Sequence, residues 1–121
     1  MKTSELIGPA LDWAVAKCEG HDVDMARGGW VIFDTHRDDP PPFNEYNDNR
    51  WHQYSPSTDW AQGGPIIERE KITLEWTGEN WMGYIRHDEE LFGPTPLVAA
   101  MRCYVASKLG DEIEVPEQIK G

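Results

Sequence analysis

The clearest helical run of the sequence is Thr95-Pro96-Leu97-Val98-Ala99-Ala100-Met101-Arg102-Cys103-Tyr104-Val105-Ala106-Ser107-Lys108-Leu109-Gly110. Thr95 is a typical N-cap residue, and the first helical position tolerates Pro96 because an N–H there would have no partner in the helix. Gly110 is a typical C-terminal stop, and Lys108 suits the negative end of the helix dipole. Between these ends, apolar residues recur at helical spacing. We therefore predict an apolar helix over 96–109, which needs a surface to cover.

The length and composition predict a single globular domain over residues 1–121. Hydrophobic residues make up 39% of the chain and charged residues 27%, a balance typical of a folded protein with a modest core. The two cysteines, Cys18 and Cys103, form no CxxC motif, so reduced thiols in a cytoplasmic protein are expected. The four histidines lack metal-ligand spacing, and no run is long enough for a membrane span. We expect no metal, no cofactor and no membrane contact.

The charge balance is strongly acidic, with 22 acidic against 11 basic residues and a net charge of −11. Binding to nucleic acid or to an anionic membrane requires a basic patch, so direct contact with either is not expected. Solubility alone explains such a charge, but it also suits contact with a basic protein.

The N-terminal part predicts one helix and two strands. Leu11, Ala14, Val15 and Cys18 form one stripe of a helix over 9–18, with Asp12 off the stripe and the first turn beginning at Pro9 or as early as Thr3. Short strands are predicted at 29–33 and 51–54. Between them, the acidic, proline-rich segment 34–50 is predicted to be an exposed loop.

The segment 57–70 contains a helix start followed by helix breakers. Ser57, Thr58 and Asp59 are suitable capping residues, but Gly63-Gly64-Pro65 disfavours a continuous helix. Two interpretations remain open. The first is one kinked helix whose glycines allow close approach to a sheet, and the second is a capped turn, a loop and a short helix.

The segment 71–86 predicts a β-hairpin. Residues 72–77 alternate between apolar and polar side chains, Gly78-Glu79 suits a turn, and 80–86 returns as the partner strand. Hairpins and helices with apolar stripes together indicate an α+β fold, with an antiparallel sheet of about four strands covered by three helices in a layered sandwich. The tail 111–121 is predicted to be loose unless its apolar residues anchor it.

No recognisable catalytic set is present, because GxSxG, P-loop and GxGxxG motifs are absent and the carboxylates are too common to be informative. The aromatic, hydroxyl and amide groups near the second helix start suit a planar, anionic ligand. Core packing explains the same aromatic residues. The candidate ligand-binding residues are Trp51, Tyr54, Ser57, Thr58, Asp59, Trp60, Gln62 and, from the last helix, Arg102.

Three segments together, Lys2–Leu6 with Ala10–Gly20, Tyr54–Glu70 and Gly93–Glu112, resemble the NinX-like family of small phage and prophage proteins. More distantly, Ser57-Thr58-Asp59 before a helix and Thr95-Pro96-Leu97 before the last helix are similar to the phage ABA sandwich domain. That resemblance implies an antiparallel sheet between helices and favours the kinked helix. The NinX-like family has no established activity, so no catalytic residues carry over.

Phage context leads to two functional hypotheses. The first is a non-enzymatic accessory protein that binds or sequesters a small ligand, such as a nucleotide signal, in host takeover or anti-defence. The second is an acidic protein that blocks a basic nucleic-acid-binding protein in the manner of a DNA mimic. The high tryptophan content is also compatible with a homodimer.

Overall fold

Three helices and two antiparallel sheets make up the described part of the chain, which in this computed structural model comprises residues 1–21, 23–25, 31–34, 51–86 and 89–116. A short 3₁₀ turn, Thr3–Glu5, precedes the first helix. The helices are α1 (Gly8–Glu19), α2 (Trp60–Glu70) and α3 (Pro96–Leu109). The strands are β1 (Val23–Met25), β2 (Val31–Asp34), β3 (Trp51–Gln53), β4 (Thr73–Trp76), β5 (Trp81–Tyr84) and β6 (Leu91–Gly93).

The strands form two separate sheets, ordered β1-β2-β3 and β4-β5-β6, with every neighbouring pair antiparallel. This confirms the α+β class, the three helices and the hairpin. The prediction of one sheet of about four strands differs from the two three-stranded sheets of the described residues. Strands β1 and β6 were not predicted, although β3, which is equally short, was, because their positions are set by pairing with β2 and β5. The layered sandwich stays a prediction.

The last helix, α3, is the central element of the core. Thr95 caps it through a hydrogen bond from the Val98 N–H to Thr95 Oγ1 (3.1 Å), as predicted. Its buried residues are Leu97–Met101 and Cys103–Val105, which surround most of the helix. It packs against β5 and β6 on one side and against α1 and α2 on others. A helix that is apolar around most of its circumference is stable only in such a position.

The close approach of α3 to its sheet depends on a glycine in β6. A Cβ atom on Gly93 would lie 2.6 Å from the Ala99 nitrogen, so any side chain there would displace the helix backbone. Gly83 on β5 faces the same turn of α3, and a Cβ atom on it would lie 3.2 Å from the Ala99 oxygen. At these two glycines the sheet therefore lies directly against the backbone of α3.

The first helix is buried more widely than the stripe of Leu11, Ala14, Val15 and Cys18 predicted. Asp12, expected outside that stripe, is only 6% exposed, and Ala10 and Ala16 are buried as well. The prediction that Asp12 lies off the packed face is therefore wrong. The reason is tertiary: besides packing on α3, the helix contacts the turn before α2, where Ser57 provides a backbone partner for the carboxylate.

The second helix runs without interruption from Trp60 to Glu70, which confirms the interpretation of the segment as one helix. Among the suggested caps, Asp59 acts, and its carboxylate accepts a hydrogen bond from the Ala61 N–H at 2.9 Å. Gly63 does allow close approach, but its neighbours are the Pro56 carbonyl and the Leu97 side chain of α3 rather than a sheet.

The start of the chain pairs with the segment that follows α3. The Thr3 N–H donates to the Asp111 carbonyl at 2.7 Å, and the Ile113 N–H donates to the Met1 carbonyl at 3.0 Å. Val115 is buried in the core, so the described part of the tail is anchored. Most of the predicted loop 34–50 lies outside the described residues, as do residues 117–121.

Candidate ligand-binding site

A cavity of about 360 Å³ lies where the three helices begin. Gly8 at the start of α1, Trp60 at the start of α2 and Pro96 at the start of α3 all line it. We call it the helix-start cavity. The first backbone N–H groups of a helix have no partner within the helix, and the dipole makes that end positive. Three helix starts therefore lie at this cavity, and the Asp59 carboxylate that caps α2 offsets the dipole of that helix.

The walls of the helix-start cavity are mainly apolar. Ile7 and Trp60 line it and remain 54% and 55% exposed, while Leu97 and Val98 provide buried surface from α3. The polar side chains that line it are hydroxyls, namely Ser57, Thr58 and Thr95. An apolar cavity with a few polar groups is the usual form of a small-molecule site.

The sequence analysis proposed three of these lining residues, Ser57, Thr58 and Trp60, as ligand-binding residues. Their common position follows from the tight turn before α2, in which the Thr58 and Asp59 N–H groups both donate to the Ser55 carbonyl. The contributions of Ile7 and of the α3 start were missed, because nothing in the sequence indicates that the starts of different helices meet.

Two other proposed residues hold the turn together rather than line the cavity. Asp59 caps α2, as described above. The Gln62 side-chain oxygen accepts a hydrogen bond from the Ser55 N–H at 2.6 Å, which ties the first turn of α2 to the loop before it. Both side chains therefore position the cavity wall.

Tyr54 is a core residue in this structure. It is 4% exposed, and its ring meets the His21 ring edge-on with the centroids 5.1 Å apart. Burial raises the pKa of its hydroxyl. Trp51 belongs to β3, where its backbone pairs with Asp34, and its side chain lies outside the described part.

Arg102 does not reach the helix-start cavity. Its Nε donates to the Leu6 carbonyl at 2.7 Å and its Nη1 donates to the Phe92 carbonyl at 2.6 Å. The guanidinium thus joins the segment before α1 to strand β6. Hydrogen bonds to two backbone carbonyls explain how a cation is accommodated in the middle of an apolar helix.

Asp12 lies behind the cavity wall, in contact with Ser57. The Ser57 N–H donates to Asp12 Oδ1 at 2.9 Å. Burial raises the pKa of Asp12 to about 6, and the Ser57 N–H and hydroxyl lower it only in part. No described group meets the Ser57 hydroxyl oxygen in good hydrogen-bond geometry, so that contact is weak. Asp12 is thus a buried carboxylate with one good partner.

A second polar cluster joins the C-terminal ends of α1 and α2 to the C-terminal half of α3. Arg69 makes two hydrogen bonds to the Glu19 carboxylate, at 3.0 and 2.8 Å, and the Tyr104 hydroxyl donates to the same carboxylate at 2.6 Å. Burial raises the pKa of Glu19, but the hydrogen bonds from Arg69 and Tyr104 outweigh it and the pKa is lowered. Carboxylate–guanidinium pairs of this kind fix orientation as well as adding stability.

Removing the hydroxyl of this cluster gives a direct test of its contribution. Tyr104→Phe should lower the free energy of unfolding by about 1–2 kcal/mol, because a charge-assisted hydrogen bond in a partly buried position is lost. Tyr84→Phe is the matched control, since Tyr84 also donates to a carboxylate, Glu75, but at 3.3 Å and on an exposed face. Urea denaturation of both variants measures the difference, and equal losses would contradict the assigned importance of the cluster.

Among the described residues, no group of three or more metal-ligating side chains lies close enough to hold an ion, and no helix has the length and apolarity needed to cross a membrane. A larger depression of about 600 Å³ lies along the Thr77–Asn80 turn beside Phe92, but it is more open than the helix-start cavity. Enclosure favours the helix-start cavity over this depression as the candidate site.

A comparison with known protein families identifies the family to which the chain belongs. The family described as bacteriophage P22 NinX matches residues 2–108, which include α1, α2 and all but the last residue of α3. The chain belongs to the bacteriophage P22 NinX family. This confirms the NinX-like resemblance, while the more distant likeness to the ABA sandwich domain stays a prediction. No curated protein matches the chain. The NinX match covers the residues that line the helix-start cavity, so the cavity lies within the matched part of the chain.

Proposed function

We propose that this NinX-family protein is a non-enzymatic phage accessory protein that binds a small planar ligand in the helix-start cavity. The observation that carries the proposal is the cavity itself, whose volume of about 360 Å³ lies in the range of small-molecule sites. A role in sequestering a host signal, such as a nucleotide, in the cytoplasm of an infected cell is consistent with this. The non-enzymatic part of the proposal rests on the sequence, which contains no recognisable catalytic set.

Trp60 supports binding of a planar group. It begins α2, it lines the cavity, and more than half of its side chain is exposed. An exposed tryptophan beside an apolar cavity loses its unfavourable contact with water when a flat ring stacks against it. The hydroxyls of Thr58 and Thr95 stand at the same cavity and can orient polar groups of a ligand.

The proposal predicts that Trp60→Ala weakens ligand binding about ten-fold, because a stacking surface worth roughly 1–1.5 kcal/mol is removed. The measurement is a two-dimensional NMR titration of the complete chain with adenosine, 3′,5′-cyclic AMP and 2-naphthoate. We expect saturable shifts of the Trp60 indole N–H and of the Thr58 and Leu97 amides.

Trp76→Ala is the matched control. Trp76 is 58% exposed, close to the exposure of Trp60, but it lies in β4 and does not line the helix-start cavity. Its replacement should leave the titration unchanged. The proposal fails if none of the three compounds shifts the cavity residues, or if both tryptophan variants weaken binding equally.

The alternative function is that of an acidic protein which binds and blocks a basic nucleic-acid-binding protein. The net charge of −11 favours it. Contacts between exposed charges weaken as salt rises, whereas stacking in a cavity does so much less. Steep loss of binding to a basic partner with rising salt, unaffected by Trp60→Ala, would favour this alternative over the cavity. A homodimer also stays a proposal, which the mass in solution tests.

A further inference from the structure

We infer that the ligand of the helix-start cavity combines a planar apolar body with no more than one negative charge. The inference rests on the proposed function and narrows its ligand class. It excludes nucleoside di- and triphosphates as preferred ligands, although the sequence pattern alone suits nucleotides in general.

The charge limit follows from the side chains that surround the cavity. Among the described residues, no lysine, arginine or histidine lines it. Arg102, the cation that the sequence suggested, is instead held by the Leu6 and Phe92 carbonyls. Recognition of several phosphates uses arginine or lysine side chains, because each charge must be compensated when it leaves water. The described part of the chain provides no such side chain at the helix-start cavity.

A single negative charge is nevertheless compatible with the cavity. The starts of α1 and α3 supply partial positive charge through backbone N–H groups, whereas the Asp59 carboxylate offsets that charge at the start of α2. Among the described residues, no side chain caps α1, and Thr95 caps one N–H of α3. Partial charges of this kind suit one anionic group. The protein's own charge of −11 opposes the approach of a polyanion.

The apolar body follows from the remaining walls. Ile7 and Trp60 are exposed at the cavity, and Pro94, Pro96 and Leu97 add apolar surface from the start of α3. A flat ring between Trp60 and this surface would remove apolar area from water on both sides. The polar groups of the ligand then meet hydroxyls rather than charged side chains.

The test keeps the ring constant and changes only the charge. Adenosine, 3′,5′-cyclic AMP, AMP and ATP carry zero, one, about two and about four negative charges at neutral pH. Affinities come from the NMR shift of the Trp60 indole in the complete chain at fixed ionic strength. We expect cyclic AMP or adenosine to bind at least five-fold more tightly than ATP.

A variant that adds a positive charge gives a second test. Its expected result is a gain in ATP affinity, which loss of folding cannot produce. Thr58 is exposed and lines the cavity, so Thr58→Lys adds one cation at its edge. This variant should raise the affinity for ATP relative to that for adenosine about three- to five-fold, the range of one exposed ion pair. Thr73→Lys adds the same charge on β4, away from the cavity, and should leave that ratio unchanged.

The outcomes separate the two proposals. Equal or tighter binding of ATP to the unmodified chain overturns the charge limit but leaves ligand binding in the cavity intact. An equal gain in ATP affinity from Thr58→Lys and Thr73→Lys also overturns it, because the effect would then be one of net charge. Absence of any shift at Trp60 with all four compounds rejects the adenine-based form of the proposed function together with this inference.

Discussion

Gly63→Ala is expected to lower the free energy of unfolding by about 3 kcal/mol, at the upper end of the cost of overpacking. A Cβ atom at this position would lie 2.4 Å from the Pro56 carbonyl oxygen and 2.6 Å from Leu97 Cδ2. The carbonyl belongs to the backbone of the turn before α2 and cannot rotate away. Relief therefore requires α2 to move away from both the turn and α3.

Gly64→Ala is the matched control in the same helix. A Cβ there would have only the Trp60 ring near it, at 4.0 Å, which is an ordinary contact. Because alanine is the better helix former, this variant should be neutral or more stable by up to about 1 kcal/mol. Urea denaturation measures both. Similar stability of the two variants would show that the approach of α2 to Pro56 is not tight.

Asp12→Asn is expected to raise stability at pH 7 by about 3 kcal/mol and to change how stability depends on pH. Burial raises the pKa of Asp12 from 3.8 to about 6, and one pKa unit corresponds to about 1.4 kcal/mol. The amide oxygen of asparagine can still accept the Ser57 N–H, while the buried charge is removed.

The sign of the pH effect follows from proton binding. Between pH 4 and 6 the folded protein holds the Asp12 proton more tightly than the unfolded chain does. The stability contributed by this group is therefore complete below pH 4 and is lost as the pH rises to about 6, by about 3 kcal/mol in total. Glu19, whose pKa is lowered, changes stability with pH in the opposite direction. The informative quantity is therefore the difference in the free energy of unfolding between the unmodified chain and the variant at each pH.

The measurement is the free energy of unfolding from urea titrations at several values between pH 4 and 7. The stability gained by Asp12→Asn should grow over this interval. Asp111→Asn removes a carboxylate from an exposed position and should keep the original profile. A constant difference between Asp12→Asn and the unmodified chain at every pH would contradict the assigned role of Asp12.

The helices could be predicted because helix caps and helical periodicity depend on residues that are close together in the chain. Thr95 caps α3 and Gly110 follows it, as the sequence indicates. The third helix, its caps and the central hairpin were correct for this reason. Strands β1 and β6 are only three residues long, and their positions depend on partners elsewhere in the chain. The sequence therefore contains no local signal that the strands divide into two sheets.

The candidate site was predicted in part for the same reason. Ser57, Thr58 and Trp60 are close in the chain, so their common position at a helix start was foreseeable. The start of α2 lies beside Ile7 and the first turn of α3 only because of tertiary packing, which local sequence does not indicate. Asp12 was misjudged because its burial depends on a backbone N–H from Ser57, 45 positions along the chain. The hydrophobic periodicity of α1 gives no information about a hydrogen-bond partner so far along the chain.

The central position of α3 also has a consequence for synthesis on the ribosome. The first helix, the second helix and the β4-β5-β6 sheet all pack on residues 96–109, and the first three residues pair with 110–113. These elements emerge before their main packing partner has been made. The N-terminal half therefore cannot complete its core during elongation, and its apolar faces stay available to chaperones until almost the whole described chain has been released.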